Sequence, residues 1–218
     1  MLPIIILTSG FIVFYTKLVR TKIMINFALT NNLSMERIKL HDKHFRLFIS
    51  NKKIVDAIGD VAGVLNDEYR DREAPLFLAV LNGSFMFAAD LLKKIDFPCE
   101  ISFIKLSSYS GTETTGEIKE ILGLSTEVSG REVIVIEDIV DTGNNIVDLH
   151  SILKERGASS VKFCTLLLKP DAYKKELKID YVAISIPNDF IVGYGLDYNE
   201  LGRQYKDIYV LDESDITG

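Results

Sequence analysis

The 218-residue sequence has no tryptophan and only 2 cysteines, 3 histidines and 5 prolines, and each shortage removes a class of protein. Cys99 and Cys164 lie far apart, each among apolar strand-like residues, so they form no disulfide framework. They read as buried free thiols in a reducing compartment, which points to the cytoplasm. His41-Asp42-Lys43-His44 invites a metal-site reading, but no further ligand cluster accompanies it, and exposed polar residues explain it. Positive charge is also short: 25 Lys and Arg stand against 31 Asp and Glu, for a formal net charge of −6. No basic run is long enough to track a phosphate backbone, so nucleic acid is not an expected partner and any anionic ligand must be small. Also missing are a GKT or GKS P-loop and the third glycine that would turn Gly193-Tyr194-Gly195 into a dinucleotide fingerprint.

Apolar runs long enough to span a bilayer are absent as well. Leu2 to Tyr15 is nearly all apolar, but it falls short of the roughly 20 residues a spanning helix needs. It also lacks a preceding basic stretch and a small-x-small cleavage site. Two readings stand: residues upstream of a true start at Met35, or a membrane-associating extension. The expected division is therefore an apolar extension over 1–34 and one domain over 35–218, with no stable membrane partner.

What is present is the composition of a packed domain, 47% hydrophobic and 26% charged, with no repeats and no linker after Met35. Ser50 is placed to cap a helix beginning at Asn51, with Ile54, Ile58, Val61, Ala62 and Leu65 on one face. Pro75 to Leu81 is a continuous apolar run that meets Asn82-Gly83-Ser84 and then a helical pattern from Phe85 to Ile95. The unit recurs: a strand from Glu132 to Glu137, a turn around Asp141-Thr142-Gly143, a helix from Ile146 to Arg156, and a further strand from Val161 to Leu168. Apolar strands alternating with helices predict an α/β fold, a mostly parallel sheet flanked by helices, with ligands outside the carboxyl ends of the strands. Ser107 to Gly116 is polar, small and without periodicity, as suits either a plain connector or a lid.

One segment concentrates the chemistry. Ile134 to Asn145 reads IVIEDIVDTGNN: a buried strand delivers Glu137 and Asp138, then Asp141 immediately before a Thr-Gly turn that opens a helix. Carboxylates at a strand end accept hydrogen bonds from sugar hydroxyls, and the N–H groups of a turn and helix start cradle a phosphate. Any one of these acids alone would pass for a solvated charge or a helix cap. Together, Glu137-Asp138-Ile139-Val140-Asp141-Thr142-Gly143 resembles the sugar-diphosphate motif of the type I phosphoribosyltransferases. The likeness covers essentially the whole chain from Met35 to Leu211, and Leu81-Asn82-Gly83-Ser84, Ser108-Tyr109, Lys169 and the stretch DFIVGYGLDYNELGR from Asp189 to Arg203 narrow it to a resemblance to the hypoxanthine-guanine phosphoribosyltransferase family.

That resemblance implies a type I phosphoribosyltransferase fold with a small hood subdomain and a flexible lid loop. It implies purine salvage, in which hypoxanthine and guanine are joined to 5-phosphoribosyl 1-diphosphate to give IMP or GMP and diphosphate. By the same resemblance Glu137, Asp138, Thr142, Gly143, Asn144 and Asn145 hold the phosphoribosyl group, with Asn145 standing where many members have Thr. Asn82, where some members carry Lys, binds diphosphate with Gly83 and Arg203. Ser108 and Tyr109 form the lid tip. Lys169, Phe190, Ile191 and Asp197 read the purine. Asp141 is the implied catalytic residue, exchanging a proton with purine N7. The implied cofactor is Mg2+, on Asp197 directly and on Glu137 and Asp138 through ribose hydroxyls or water, and the implied assembly is a homodimer or homotetramer. Rival readings are an enzyme of the same fold acting on xanthine, adenine or orotate, and a regulatory nucleic-acid-binding relative. Lys169 with Phe190 favours 6-oxopurines, a class that includes xanthine, over adenine and orotate, and the acidic charge disfavours the nucleic-acid-binding relative.

Overall fold

Strands that are apolar on both faces need cover on both faces, and the arrangement of the chain follows from that need. The computed structural model describes residues 37–107, 120–124, 126–212 and 215. Its larger sheet has six strands: β3 (Leu76–Leu81), β4 (Glu100–Ser107), β5 (Glu120–Leu122), β6 (Glu132–Val140), β7 (Ser160–Leu168) and β8 (Tyr181–Ser185), in the order β5-β4-β3-β6-β7-β8. Five of them run parallel, and β5 pairs antiparallel with β4 at one edge.

Among the described residues, three helices cover the sheet: α1 (Asn51–Tyr69), α2 (Phe85–Leu92) and α3 (Asn144–Glu155). Alternate residues of β3 and β6 sort into two cores. Phe77, Ala79, Ile134 and Ile136 pack with Ile54, Ile58 and Leu65 of α1 and Phe87 and Leu91 of α2. Leu76, Leu78, Val133 and Val135 pack with Ile146, Leu149 and Leu153 of α3. Each such Val, Leu, Ile or Phe side chain contributes about 1.5–3 kcal/mol when fully buried.

The predicted elements are present, with shifted ends. α1 starts where expected, and Ser50 accepts from the Lys53 N–H at 3.5 Å. α2 stops at Leu92 rather than Ile95, because Asn66 of α1 takes over the polar groups beyond its end. The Asn66 amide donates to Lys94 O at 2.9 Å and accepts from Asp96 N at 3.0 Å. β6 runs on to Val140, since Ile139 and Val140 continue to pair with Leu167 and Leu168 of β7. Glu137 and Asp138 therefore lie within the strand. α3 begins at Asn144, and Gly143 before it has φ +80.

A second, four-stranded antiparallel sheet has the order β1-β2-β10-β9, from β1 (Arg37–Leu40), β2 (Lys43–Ile49), β9 (Ile191–Val192) and β10 (Ile208–Leu211). It is the small subdomain that the family resemblance implied. The two ends of the described chain build it around Leu40, Phe45, Val192 and Tyr209. Cys164 is buried and Cys99 partly so, both as free thiols. Among the described residues no helix is long and apolar enough to cross a membrane.

Candidate active site

From β3 the chain turns outward to β4 on one side, while β6 and β7 extend the sheet on the other; crevices form at such a switch between neighbouring strands. A cavity of about 480 Å³ opens there, lined by the ends of β3 and β6 and by the turn from Asp141 to Ile146. Its floor holds the acid pair. Glu137 is 9% exposed, and burial with the adjacent Asp138 pushes its carboxyl well above the usual range. Burial raises Asp138 to about 6; Asp197 adds to the rise, whereas local backbone N–H groups and Arg203 oppose it. These are not solvated strand-end charges. They are acids held where an incoming hydrogen-bond donor or cation would be strongly favoured.

The phosphate side is made of backbone. The first N–H groups of a helix have no partner within it, and those of α3 line the cavity beside Thr142 and Gly143. A Cβ on Gly143 would lie 2.3 Å from the Tyr173 ring, so only glycine lets Tyr173 lie against this turn. Opposite, Asn82 and Gly83 follow β3 across a cis Leu81–Asn82 peptide bond. A Cβ on Gly83 would lie 1.6 Å from the Asp138 carboxylate, so this turn rests directly on the acid pair.

The predicted residues from the chain's far end meet this turn. Gly195, at φ +100, approaches so closely that a Cβ there would lie 2.0 Å from Gly83 O. Asp197 Oδ1 pairs with Arg203 Nη2 at 2.7 Å, and its Oδ2 accepts from Glu200 N at 2.8 Å. Arg203 Nη1 donates to Gly195 O at 2.8 Å. The guanidinium is thus oriented by the protein, with further N–H groups available to a ligand. Among the described residues, no group of three or more His, Cys, Asp or Glu side chains is gathered closely enough to hold a metal by itself.

The remaining predicted pair comes together across the sheet. Lys169 follows β7, is only 8% exposed, and places Nζ 3.0 Å from Asp141 Oδ2. Its backbone N–H donates to Val140 O at 2.9 Å, which ties the two strand ends together. Phe190 is 44% exposed, with its ring edge-on to Tyr198 at 5.7 Å and 6.0 Å from Phe45, so a ring face stays available for stacking. Ile191 pairs with Val210 in the smaller sheet. Ser108 and Tyr109 lie outside the described residues.

Sequence reasoning passed over Tyr173, Tyr194 and Gly195. For the last two the signal was present in Gly193-Tyr194-Gly195, which is no nucleotide fingerprint but three consecutive positive-φ residues of a tight turn.

A family profile described as phosphoribosyl transferase domain matches residues 49–199. The chain is 41% identical over 167 residues to a hypoxanthine-guanine phosphoribosyltransferase of Lactococcus lactis, covering 76% of this chain and 90% of that protein. It is 41% identical over 167 residues to the Bacillus subtilis protein of the same name, covering 76% and 92%. The crystal structure of a hypoxanthine phosphoribosyltransferase from Staphylococcus aureus superposes with a TM-score of 0.72 at 35% identity, covering 79% of this chain and 94% of that one.

Proposed function

The chain belongs to the hypoxanthine-guanine branch of the phosphoribosyl transferase family, and from that premise we propose how its site joins a 6-oxopurine to 5-phosphoribosyl 1-diphosphate. The enzyme acts in purine salvage, giving IMP from hypoxanthine and, by the same chemistry, GMP from guanine. The observation that carries this reading is the Lys169–Asp141 pair, a donor and an acceptor 3.0 Å apart at the rim of the cavity. A 6-oxopurine presents the complementary edge, with O6 accepting from Lys169 and N7–H donating to Asp141. Adenine would oppose an amino group to the Lys169 ammonium, which has no lone pair to accept from it.

In the synthetic direction the N9 lone pair attacks the anomeric carbon as the bond to the diphosphate oxygen breaks, and that oxygen leaves with the electron pair. Asp141 takes the N7 proton, which keeps N9 electron-rich while the new bond forms. Glu137 and Asp138 receive the ribose hydroxyls. The backbone of Thr142 to Asn145 cradles the 5-phosphate, with the Asn144 and Asn145 amides as added donors. Asn82, Gly83 and Arg203 hold the departing diphosphate. Phe190 stacks on the base beside the Ile191 and Asp197 backbone. By the family resemblance, the lid role of keeping water from the electron-poor sugar falls to Ser108 and Tyr109.

The donor set fits magnesium. A hard cation that keeps most of its ligands as substrate oxygens and water needs few carboxylates, and Asp197 lies close enough to the acid pair to raise the Asp138 carboxyl beyond what burial does. Asp197 would hold it directly, and Glu137 and Asp138 through ribose hydroxyls or water. What magnesium supplies when bound is neutralisation of the diphosphate oxygens. We read the catalytic unit as residues 35–218, acting in the cytoplasm as a homodimer or homotetramer.

The test is diphosphate release with hypoxanthine, guanine, xanthine or adenine. Hypoxanthine and guanine are expected to turn over, and Asp141→Asn to lower kcat by about 100- to 10,000-fold. Lys169→Ala should raise the hypoxanthine KM and shrink the preference over adenine. A folded, magnesium-supplied protein with no base-dependent release would sink the reading.

A further inference from the structure

The turn at Gly193-Tyr194-Gly195 has positive φ at all three residues, +98, +49 and +100. A tyrosine in the left-handed region is uncommon, and it persists only where its surroundings fix it. Tyr194 is 1% exposed, and its hydroxyl donates to Asp90 Oδ2 at 2.6 Å. Asp90 lies on α2, the helix that starts immediately after Gly83-Ser84, and its other oxygen accepts from Lys93 Nζ at 2.8 Å. Ser84 is itself fixed, its Oγ donating to Val80 O at 2.6 Å. On the other side of the turn, Tyr194 N donates to Tyr205 O at 2.8 Å and Gly195 N to Arg203 O at 3.0 Å.

The phenol therefore bridges two parts of the leaving-group site that the sequence keeps far apart. One is the Asn82–Gly83 turn with the helix behind it; the other is the segment bearing Asp197 and Arg203. Where they meet, the Gly195 α-carbon lies against the Gly83 carbonyl with no room for a side chain. We propose that Tyr194, through its hydrogen bond to Asp90, is a positioning residue that sets the spacing between the Asn82–Gly83 turn and Arg203, and thereby the affinity for diphosphate rather than for the purine. The inference rests on the reading of the Asn82–Gly83 turn and Arg203 as diphosphate-binding. The Lys169–Asp141 pair that faces the purine O6 and N7 edge is held elsewhere, at the ends of β6 and β7.

Tyr194→Phe removes the hydrogen bond and keeps the ring. It is expected to raise the KM for 5-phosphoribosyl 1-diphosphate and weaken inhibition by diphosphate by about tenfold each, leaving the hypoxanthine KM within about twofold. Asp90→Ala should match it, Asp90→Asn, which keeps a carbonyl acceptor, should restore most of the affinity, and the Tyr194→Phe/Asp90→Ala double variant should be no worse than either single one. Assays run well below each variant's Tm separate this split from loss of fold. Equal changes in both KM values, no change in either, or Asp90→Asn as impaired as Asp90→Ala would overturn the inference. Calorimetric binding of diphosphate with magnesium to natural and Tyr194→Phe protein reads the same effect without turnover. An inactive natural protein would defeat the catalytic reading, whereas equal diphosphate affinity in the two proteins would defeat this one.

Discussion

Asp138 sits where stability and ligand binding oppose each other. Its carboxyl is raised from the ordinary 3.8 to about 6, so between those values the folded chain holds a proton that the unfolded chain has lost. Stability from this group is greatest below that window and falls as pH rises through it. Glu137, raised by burial and by Asp138, acts in the same direction. Asp138→Asn is therefore expected to stabilise the ligand-free protein by roughly 1–3 kcal/mol near neutral pH, with the gain fading as pH falls to about 4. The same change should raise the KM for 5-phosphoribosyl 1-diphosphate, because a carboxylate is lost from the ribose. Thermal unfolding across that pH range decides the matter: an equal gain at both ends would show that the carboxyl is not raised. Gly195 makes a harsher case. Gly195→Ala puts a methyl group 2.0 Å from a backbone oxygen at φ +100, and neither conflict can be relieved by moving a flexible side chain. A loss of at least about 1–3 kcal/mol is expected in urea denaturation, and an unchanged midpoint would contradict the close approach.

Among elements, α1 shows how little a cap weighs against packing. The Ser50 bond to Lys53 N is long at 3.5 Å, whereas Leu65 and Ile58 are fully buried between α1 and the sheet. Ser50→Ala is expected to cost less than about 1 kcal/mol and Leu65→Ala about 2–5 kcal/mol. Urea midpoints in the reverse order would show that the helix is held by its end rather than its face. At its far end, Glu68 accepts from Tyr181 at 2.6 Å and pairs with Lys162, which fastens α1 to β7 and β8. β6 shows what neighbours add to an element. The pattern from Glu132 to Glu137 suffices to predict a strand, but Ile139 and Val140 join it only because β7 offers Leu167 and Leu168 as partners. That continuation lifts Asp138 out of a loop and fixes it beneath Gly83.

For the whole molecule, ligands that bind only the folded chain should stabilise it by mass action. 5-Phosphoribosyl 1-diphosphate with magnesium at about 100 times its Kd adds about 2.7 kcal/mol, a rise of several degrees in Tm that EDTA should largely reverse. A shift of the same size with and without chelator would argue against magnesium in this site.

The local order of residues determined much of the fold and most of the candidate site. Apolar runs such as Leu76 to Val80 can be buried only between two layers, and the acids and glycines directly after a strand necessarily emerge at its carboxyl end. Only the family resemblance grouped Asn82 and Gly83 with Arg203; residue pattern by itself was silent wherever function depends on residues meeting across the chain. It could not distinguish a solvated Lys169 from one buried 3.0 Å from Asp141, 28 residues away, because that distance depends on the pairing of β6 with β7. Nor could it show that Glu137 and Asp138 resist ionisation, since burial is a property of the packed whole. The smaller sheet, built from both ends of the described chain, and the bond from Tyr194 to Asp90 across 104 positions were decided by tertiary structure alone. Hydrophobic periodicity records which face a residue presents, whereas only the folded packing determines what it faces.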